Sequence, residues 1–163
     1  MKILALDQSS RISGYAIFNN NNLEKSGTFT ARAKDIDQRL EQIRIWLKTL
    51  IKAEDIEKVV LEDIQLENNI GNNVVTYKML AEVIGVITEL LVELGLEYEI
   101  IAPSVWRKKL SLWAPNRAMC KQKAKDYVLA KYNLRTTEDT CDAICIGEAT
   151  LNSSPKQIGF DWS

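Results

Sequence analysis

The chain has no histidine, and the absence narrows its chemistry at once. Without an imidazole there is no general base poised near neutral pH, no Ser-His or Cys-His nucleophile pair and no Cys/His zinc site. Cysteine is scarce as well. Three of them, an odd number without paired ligand spacing, support neither a disulfide framework nor a zinc ribbon. Cys141 and Cys145 stand four apart, on one helix face, where core packing explains them. No apolar run approaches the roughly 20 residues that cross a bilayer. MKILALDQSS enters a strand pattern without a signal peptide's apolar stretch and cleavage site, so a cytoplasmic protein, in a bacterial host cell, is the expectation. Repeats, low-complexity segments and a Walker-type phosphate loop are also missing.

What is present is ordinary in amount and unusual in distribution. A length of 163 residues, 46% of them hydrophobic, suits one globular domain, placed at residues 1–152 with a tail at 153–163. The net charge of -1 hides a segregation. Residues 103–135 hold nine Lys or Arg (Arg107, Lys108, Lys109, Arg117, Lys121, Lys123, Lys125, Lys131 and Arg135) against a single acid, Asp126. The rest of the chain is correspondingly acidic. A cationic segment of this kind suits a polyanion, because Lys and Arg contacts to phosphate dominate nucleic-acid affinity; a solvated helix face is the plainer reading. Trp106, Trp113, Tyr127 and Tyr132 interleave with these charges and are candidates to stack on exposed bases, or else core residues.

Hydrophobic periodicity predicts strands at Lys2 to Asp7, Gly14 to Phe18 and Leu23 to Thr30, with a hairpin loop at Asn19 to Asn22. It predicts an amphipathic helix from Asp35 to about Ala53 and a fourth strand at Lys58 to Glu62. A long helix follows from Asn73 to Leu94, then a strand at Glu97 to Ile101. Helices at Pro103 to Leu110, Arg117 to Tyr132 and Thr137 to Leu151 complete the series. Strands joined through helices must run parallel and hairpin partners antiparallel, which gives a five-stranded mixed sheet covered by helices on both faces, an α/β architecture. The helix from Asn73 is apolar on more than one side and so needs two surfaces. One is the sheet; the other is expected to be the same helix of a second subunit, with Ala81 and Gly85 permitting close approach.

Asp7 and Glu62 end two strands expected to be parallel neighbours, so both carboxylates should emerge at one sheet edge, where open α/β sheets place their ligand sites. Asp139 and Asp142, three apart, are expected in the first turn of the last helix, on one face. Alone, Asp7 can merely end a strand and Asp139 merely cap a helix. Together, four carboxylates without compensating bases predict a site for divalent cations, Mg²⁺ or Mn²⁺, since hard oxygen ligands suit those ions. Two such ions about 4 Å apart stabilise both the attacking water and the leaving oxygen of an in-line phosphoryl displacement. In that reading Asp7 bridges the ions, Glu62 lies on one side and Asp139 with Asp142 on the other. Lys121, Lys123 or Lys109 then offsets charge developing on the phosphate.

LALDQSSRISGYAIF resembles the opening of RuvC-family Holliday junction resolvases, and VVLEDIQ their second acidic motif. APSVWRKKL with KQKAKDYVLAKY is similar to the family's basic region, and DTCDAICIGEA to its closing helix. Each motif is short, but four in register across nearly the whole chain are fairly specific. The resemblance implies an RNase H-like fold and a homodimer presenting two active sites to a four-way DNA junction. It also implies Mg²⁺-dependent hydrolysis, leaving 5′-phosphate and 3′-hydroxyl ends. Asp7, Glu62, Asp139 and Asp142 would be metal ligands, Lys121 a catalytic aid, and Gln65, Arg107, Lys108, Lys109, Arg117, Lys121, Lys123 and Lys125 DNA contacts. Two departures stand out: Gln65 replaces an aromatic residue, and SLWAPNRAM replaces a glycine-rich stretch before the basic helix. Such divergence suits a phage-encoded relative. The alternatives are a branched-DNA-binding protein without catalysis and, less favoured, an actin-like or sugar-kinase-like phosphotransferase, which needs a second domain and a nucleotide cleft.

Overall fold

The computed structural model of the protein describes residues 1–65 and 73–151, and the tail expected at 153–163 lies outside them. Ten elements follow in the order β1 (Lys2–Asp7), β2 (Ile12–Asn19), β3 (Asn22–Thr30), α1 (Ile36–Glu54), β4 (Lys58–Glu62), α2 (Asn73–Glu93), β5 (Glu97–Ile101), α3 (Pro103–Lys109), α4 (Arg117–Tyr132) and α5 (Glu138–Leu151). The sheet order is β3-β2-β1-β4-β5. β1 pairs antiparallel with β2 and parallel with β4, and β5 continues in parallel, as the connections require. The hairpin between β2 and β3 turns on Asn20 and Asn21, both with positive φ, a backbone that suits the right-handed twist of the paired strands. β2 begins at Ile12, two residues before its apolar pattern. Ile12 and Ser13 pair with Thr30 and Phe29 of β3, but Ile12 faces solvent, and hydrophobic alternation does not register it.

Residue parity on the strands divides the core in two. Leu4, Leu6, Ile17, Val59 and Leu61 face α1 and α2, where they meet Ile43, Leu47, Val83, Ile87 and Leu90. Ile3, Ala5, Ala16, Phe18 and Val60 face the other side, with Trp106, Ala124, Val128 and the α5 residues Cys141, Ile144 and Cys145. Each fully buried Leu, Ile, Val or Phe contributes about 1.5–3 kcal/mol. A one-residue slip of β1 would turn all of its apolar side chains to the wrong layer, so the register is fixed. Asp7 continues the row of Ile3 and Ala5, and Glu62 that of Val60. Both therefore lean toward α5, one step beyond the last β1–β4 pair, Leu6 with Leu61.

α5 lies unusually close to the sheet. A β-carbon on Gly14, the β2 partner of Asp7, would stand 2.0 Å from the backbone oxygen of Asp139, and one on Gly147 would stand 2.2 Å from the Phe18 ring. The missing side chains let the N-terminal turn of α5 touch the strand beside Asp7. Gly14→Ala should therefore push α5 off the sheet and destabilise the protein by about 1–3 kcal/mol or more. The melting temperature would fall by roughly 2–4 °C for each kcal/mol. An unchanged melting curve would mean that the close approach is not needed.

Candidate active site

β1 and β4 end side by side, and Gln8 locks them there. Its side-chain amide donates to the Glu62 carbonyl at 2.5 Å and accepts from the Glu62 backbone N–H at 3.2 Å, so a glutamine continues the ladder where β1 has stopped. The Glu62 carboxylate is held separately. The indole N–H of Trp106, fully buried on α3, donates to Glu62 Oε2 at 2.7 Å. Trp106 is thus a core and positioning residue, and stacking on a base is closed to it. Sequence alone gave no signal for the Gln8 clasp or the Trp106 hydrogen bond, since they join positions 54 and 44 residues apart.

On the other side, Thr137 precedes α5 and its hydroxyl accepts from the Thr140 N–H, fixing the helix start. Asp139 lies in the first turn and Asp142 one turn further in, so the two acids differ in depth. Asp139 is half-buried and lines the cavity, whereas Asp142 is 2% exposed and lies below. The Lys121 ammonium donates to Asp142 Oδ2. Lys121 reaches it from the second turn of α4, whose start is capped by Asn116 accepting from the Met119 N–H at 2.9 Å.

These groups meet at a cavity of about 490 Å³ lined by Asp7, Glu62, Asp139 and Lys121 together with Gln8, Gln65, Arg107, Arg117 and Trp113. Of the candidate DNA contacts, Gln65, Arg107, Arg117 and Lys121 are brought to it. Lys108, Lys109, Lys123 and Lys125 are not among its lining residues. Lys123 instead donates to the Trp113 carbonyl, and Lys125 pairs with Glu138 at 3.3 Å. Tyr132 gives its hydroxyl to Glu148, a buried acid of α5 that also pairs with Lys131.

Burial raises the Asp7 acid well above the usual carboxylate range, and the charges of Glu62, Asp142 and Asp139 push it further, with Lys121 opposing. Glu62 is raised by burial and by Asp142, against the Trp106 hydrogen bond, Arg107 and Lys121. Asp142 is raised by burial despite Lys121. Burial pulls Lys121 down, but Asp142 and then Asp7 outweigh it, so the amine is held protonated above its usual value.

Three buried carboxylates that resist ionisation, all with hard oxygen donors, are a donor set that fits divalent cations. The set is open as it stands. Among the described residues no three Asp, Glu or Cys side chains are grouped to hold an ion, and the Lys121 ammonium supplies the compensating charge at Asp142.

The architecture, a five-stranded mixed sheet with helices on both faces, is an RNase H-like fold. Along nearly its whole length the chain is similar to a RuvC: the crossover junction endodeoxyribonuclease RuvC of Geotalea uraniireducens (strain Rf4) is 29% identical over 163 residues, covering 94% of this chain and 90% of that protein. No protein-family model matches. Among solved structures, T. thermophilus RuvC in complex with Holliday junction substrate superimposes with a TM-score of 0.71 at 11% identity, covering 91% of this chain and 92% of that one. The Fowlpox virus resolvase in complex with Holliday junction DNA has a TM-score of 0.60 at 13% identity, covering 94% and 100%.

The cost of burying these acids together can be measured without any reaction. Because Asp7 titrates higher folded than unfolded, the folded protein binds an extra proton in the window between the two values. Stability falls as pH rises through that window. In EDTA, Asp7→Asn should therefore melt higher than the parent, with a gain that grows as pH rises above the ordinary Asp range, about pH 4. Added Mg²⁺ should raise the melting temperature of the parent and do much less for the variant. A variant no more stable than the parent at any pH would refute the burial of Asp7 among like charges.

Proposed function

We propose that the protein is a structure-selective endonuclease that hydrolyses phosphodiester bonds in branched DNA, four-way junctions above all. The observation that carries this reading is the cavity itself, with Asp7, Glu62 and Asp139 at its walls, Asp142 beneath, and Arg107, Arg117 and Lys121 around them. Buried acids alone would repel a phosphate, and a basic rim alone would bind DNA without cutting it. Together with similarity to RuvC, the combination supports catalysis.

Divalent cations, two per site in this reading, would be held by Asp7, Glu62, Asp139 and Asp142, and when bound supply Lewis-acid polarisation of the phosphodiester. The chain does the rest. Arg107 and Arg117 offer guanidinium groups to the phosphate, with Gln65 beside them. Gln8 and Trp106 fix the Glu62 backbone and carboxylate, which spares the site that rearrangement during the reaction. Lys121, kept protonated, presents positive charge where the phosphoryl oxygens gain negative charge. A water oxygen bonds to phosphorus as the bond to the 3′ oxygen breaks, leaving 5′-phosphate and 3′-hydroxyl ends. Lys108 and Lys109 extend the positive surface for more distant phosphates. The site of action would be the cytoplasm of a bacterial cell.

Cleavage of a labelled four-way junction with Mg²⁺ or Mn²⁺ tests this directly. Asp7→Asn and Glu62→Gln should each lower cutting by several orders of magnitude while leaving junction binding in place. Undiminished cutting by both variants would defeat the assignment. Binding without cutting by the parent would favour a junction-binding protein without catalysis.

We further propose a homodimer built on α2. Val83, Ile87, Leu90 and Leu91 of this helix enter the core, yet Val74, Val75, Tyr77 and Val92 remain exposed. Around Gly85, where an added β-carbon would touch nothing, Thr88, Val92 and Tyr98, with Glu89 and Glu93, line an open groove of about 430 Å³. With both glutamates paired to Arg44 and Lys48 of α1, the exposed Val92 and Tyr98 suit the same helix of a second copy. Sedimentation at micromolar concentration should give the mass of two chains for the parent and of one chain for Val92→Arg, with the fold unaffected. A monomeric parent would exclude the interface.

A further inference from the structure

The fold accounts for three of the four aromatic side chains that interleave with the basic segment. Trp106 is buried against Glu62, Tyr132 is spent on Glu148, and Tyr127 packs half-buried against the core with the Lys131 ammonium over its ring. Trp113 is different. It is 54% exposed, and it lines the cavity that holds the acids.

The exposure is imposed by the backbone around it. Leu112 and Ala114 on either side are each 6% exposed, so alternation through a pinned segment turns the indole outward. The pins are hydrogen bonds: the Leu112 N–H donates to the Arg107 carbonyl at 2.7 Å, Lys123 Nζ donates to the Trp113 carbonyl at 3.2 Å, and the Cys120 thiol donates to the Ala114 carbonyl at 3.5 Å. The segment is entered through Ser111, held at positive φ, and leaves into the Asn116 cap of α4. An apolar ring is thus presented from a fixed backbone, and among the described residues no other ring is paired with it.

We propose that Trp113 is a stacking platform for an exposed base at a DNA branch point, and so a specificity-determining residue of the site; the proposal rests on the branched-DNA reading above. Nucleobases in an intact duplex have their faces covered by their neighbours, whereas a branch point or single strand exposes them. An indole stacks on any base without reading its sequence. Arg107 and Arg117 line the same cavity, so a strand whose phosphates they held would bring its bases to Trp113 while the backbone passes the acids. The ring would therefore favour branched over linear DNA at the cutting site.

The test is a titration in EDTA, at one fixed salt concentration, of a fluorescein-labelled four-way junction and of a linear duplex of the same sequence. Parent, Trp113→Phe and Trp113→Leu are compared. Loss of one base–aromatic stack should weaken junction binding by Trp113→Leu about 5-fold to about 150-fold and duplex binding by less than about 2-fold, with Trp113→Phe within about 3-fold of the parent. Melting curves of the two variants should match the parent, since the ring is exposed, and the Phe variant serves if the Leu variant does not fold. Junction binding unchanged in Trp113→Leu, an equal loss on both DNA shapes, or no advantage of Phe over Leu would each overturn the proposal. Failure of the branched-DNA reading looks different. A parent that binds the junction no better than the duplex removes both proposals, and a parent that prefers the junction but cuts no DNA with Mg²⁺ removes only the nuclease.

Discussion

Carboxylates do not gather in a protein interior unless something stronger holds them there. Here the stronger force is apolar packing: β1 is buried on both faces, its neighbours β2 and β4 fix its register, and α5 is buried along almost all of its length. A dozen large side chains are essentially inaccessible to solvent, each contributing about 1.5–3 kcal/mol, and that total far exceeds the cost of crowding a few acids at one end of the sheet. The acids respond by resisting ionisation, Asp7 most clearly. The site is therefore a strained region kept in place by an unstrained core. Gly14 is where the two meet, because only a residue without a side chain lets the α5 backbone reach the strand beside Asp7.

Within that constraint the four acids are not equivalent. Glu62 is restrained twice, through its backbone by Gln8 and through its carboxylate by Trp106. Asp142 is the most deeply placed and has a cation of its own in Lys121. Asp139 lies nearer the surface on the first turn of its helix, where a carboxylate also complements the macrodipole. Asp7 has the charges of all three about it. A phosphate or a cation arriving in the cavity thus meets a fixed Glu62, a charge-compensated Asp142, and a pair of acids, Asp7 and Asp139, with less to hold them.

The sequence made much of this legible. Every helix and strand lies within two residues of its expected bounds, because amphipathic period and strand alternation both report burial on a defined face. Asp7 and Glu62 were readable as neighbours because both close strands that topology forces to be parallel. The difference between Asp139 and Asp142 was not: three residues apart on a helix reads as one face, and depth depends on how closely the helix lies to the sheet. Lys121 stood out in the sequence beside Lys123 and Lys109 as a lysine to offset charge on a phosphate, but spacing alone did not separate the three. Its spacing of four from Arg117 places both on one face of α4, but the choice of that face over the one bearing Lys123 belongs to the packing of Cys120, Ala124 and Val128. Trp106 and Trp113 are alike in the sequence and opposite in the fold. One satisfies its N–H on a buried acid; the other is turned out by two buried neighbours.

Charge segregation along the chain becomes a division of labour in space. Part of the basic segment is consumed by structure: Lys131 goes to the buried Glu148, Lys125 to Glu138 and Lys123 to the loop carrying Trp113. What reaches the cavity is a smaller set, Arg107, Arg117 and Lys121, set against acids that already repel one another. Positive charge around a reluctantly ionised floor attracts a polyanion at long range and then tolerates it at contact, because the groups nearest the phosphate are those least inclined to carry their own negative charge. Affinity and chemistry can then be set by different elements, the first by α3 and α4, the second by the ends of β1 and β4 and the start of α5. In the proposed reading, substitution in the loop between α3 and α4 would change which DNA is held without disturbing the acids at the strand ends.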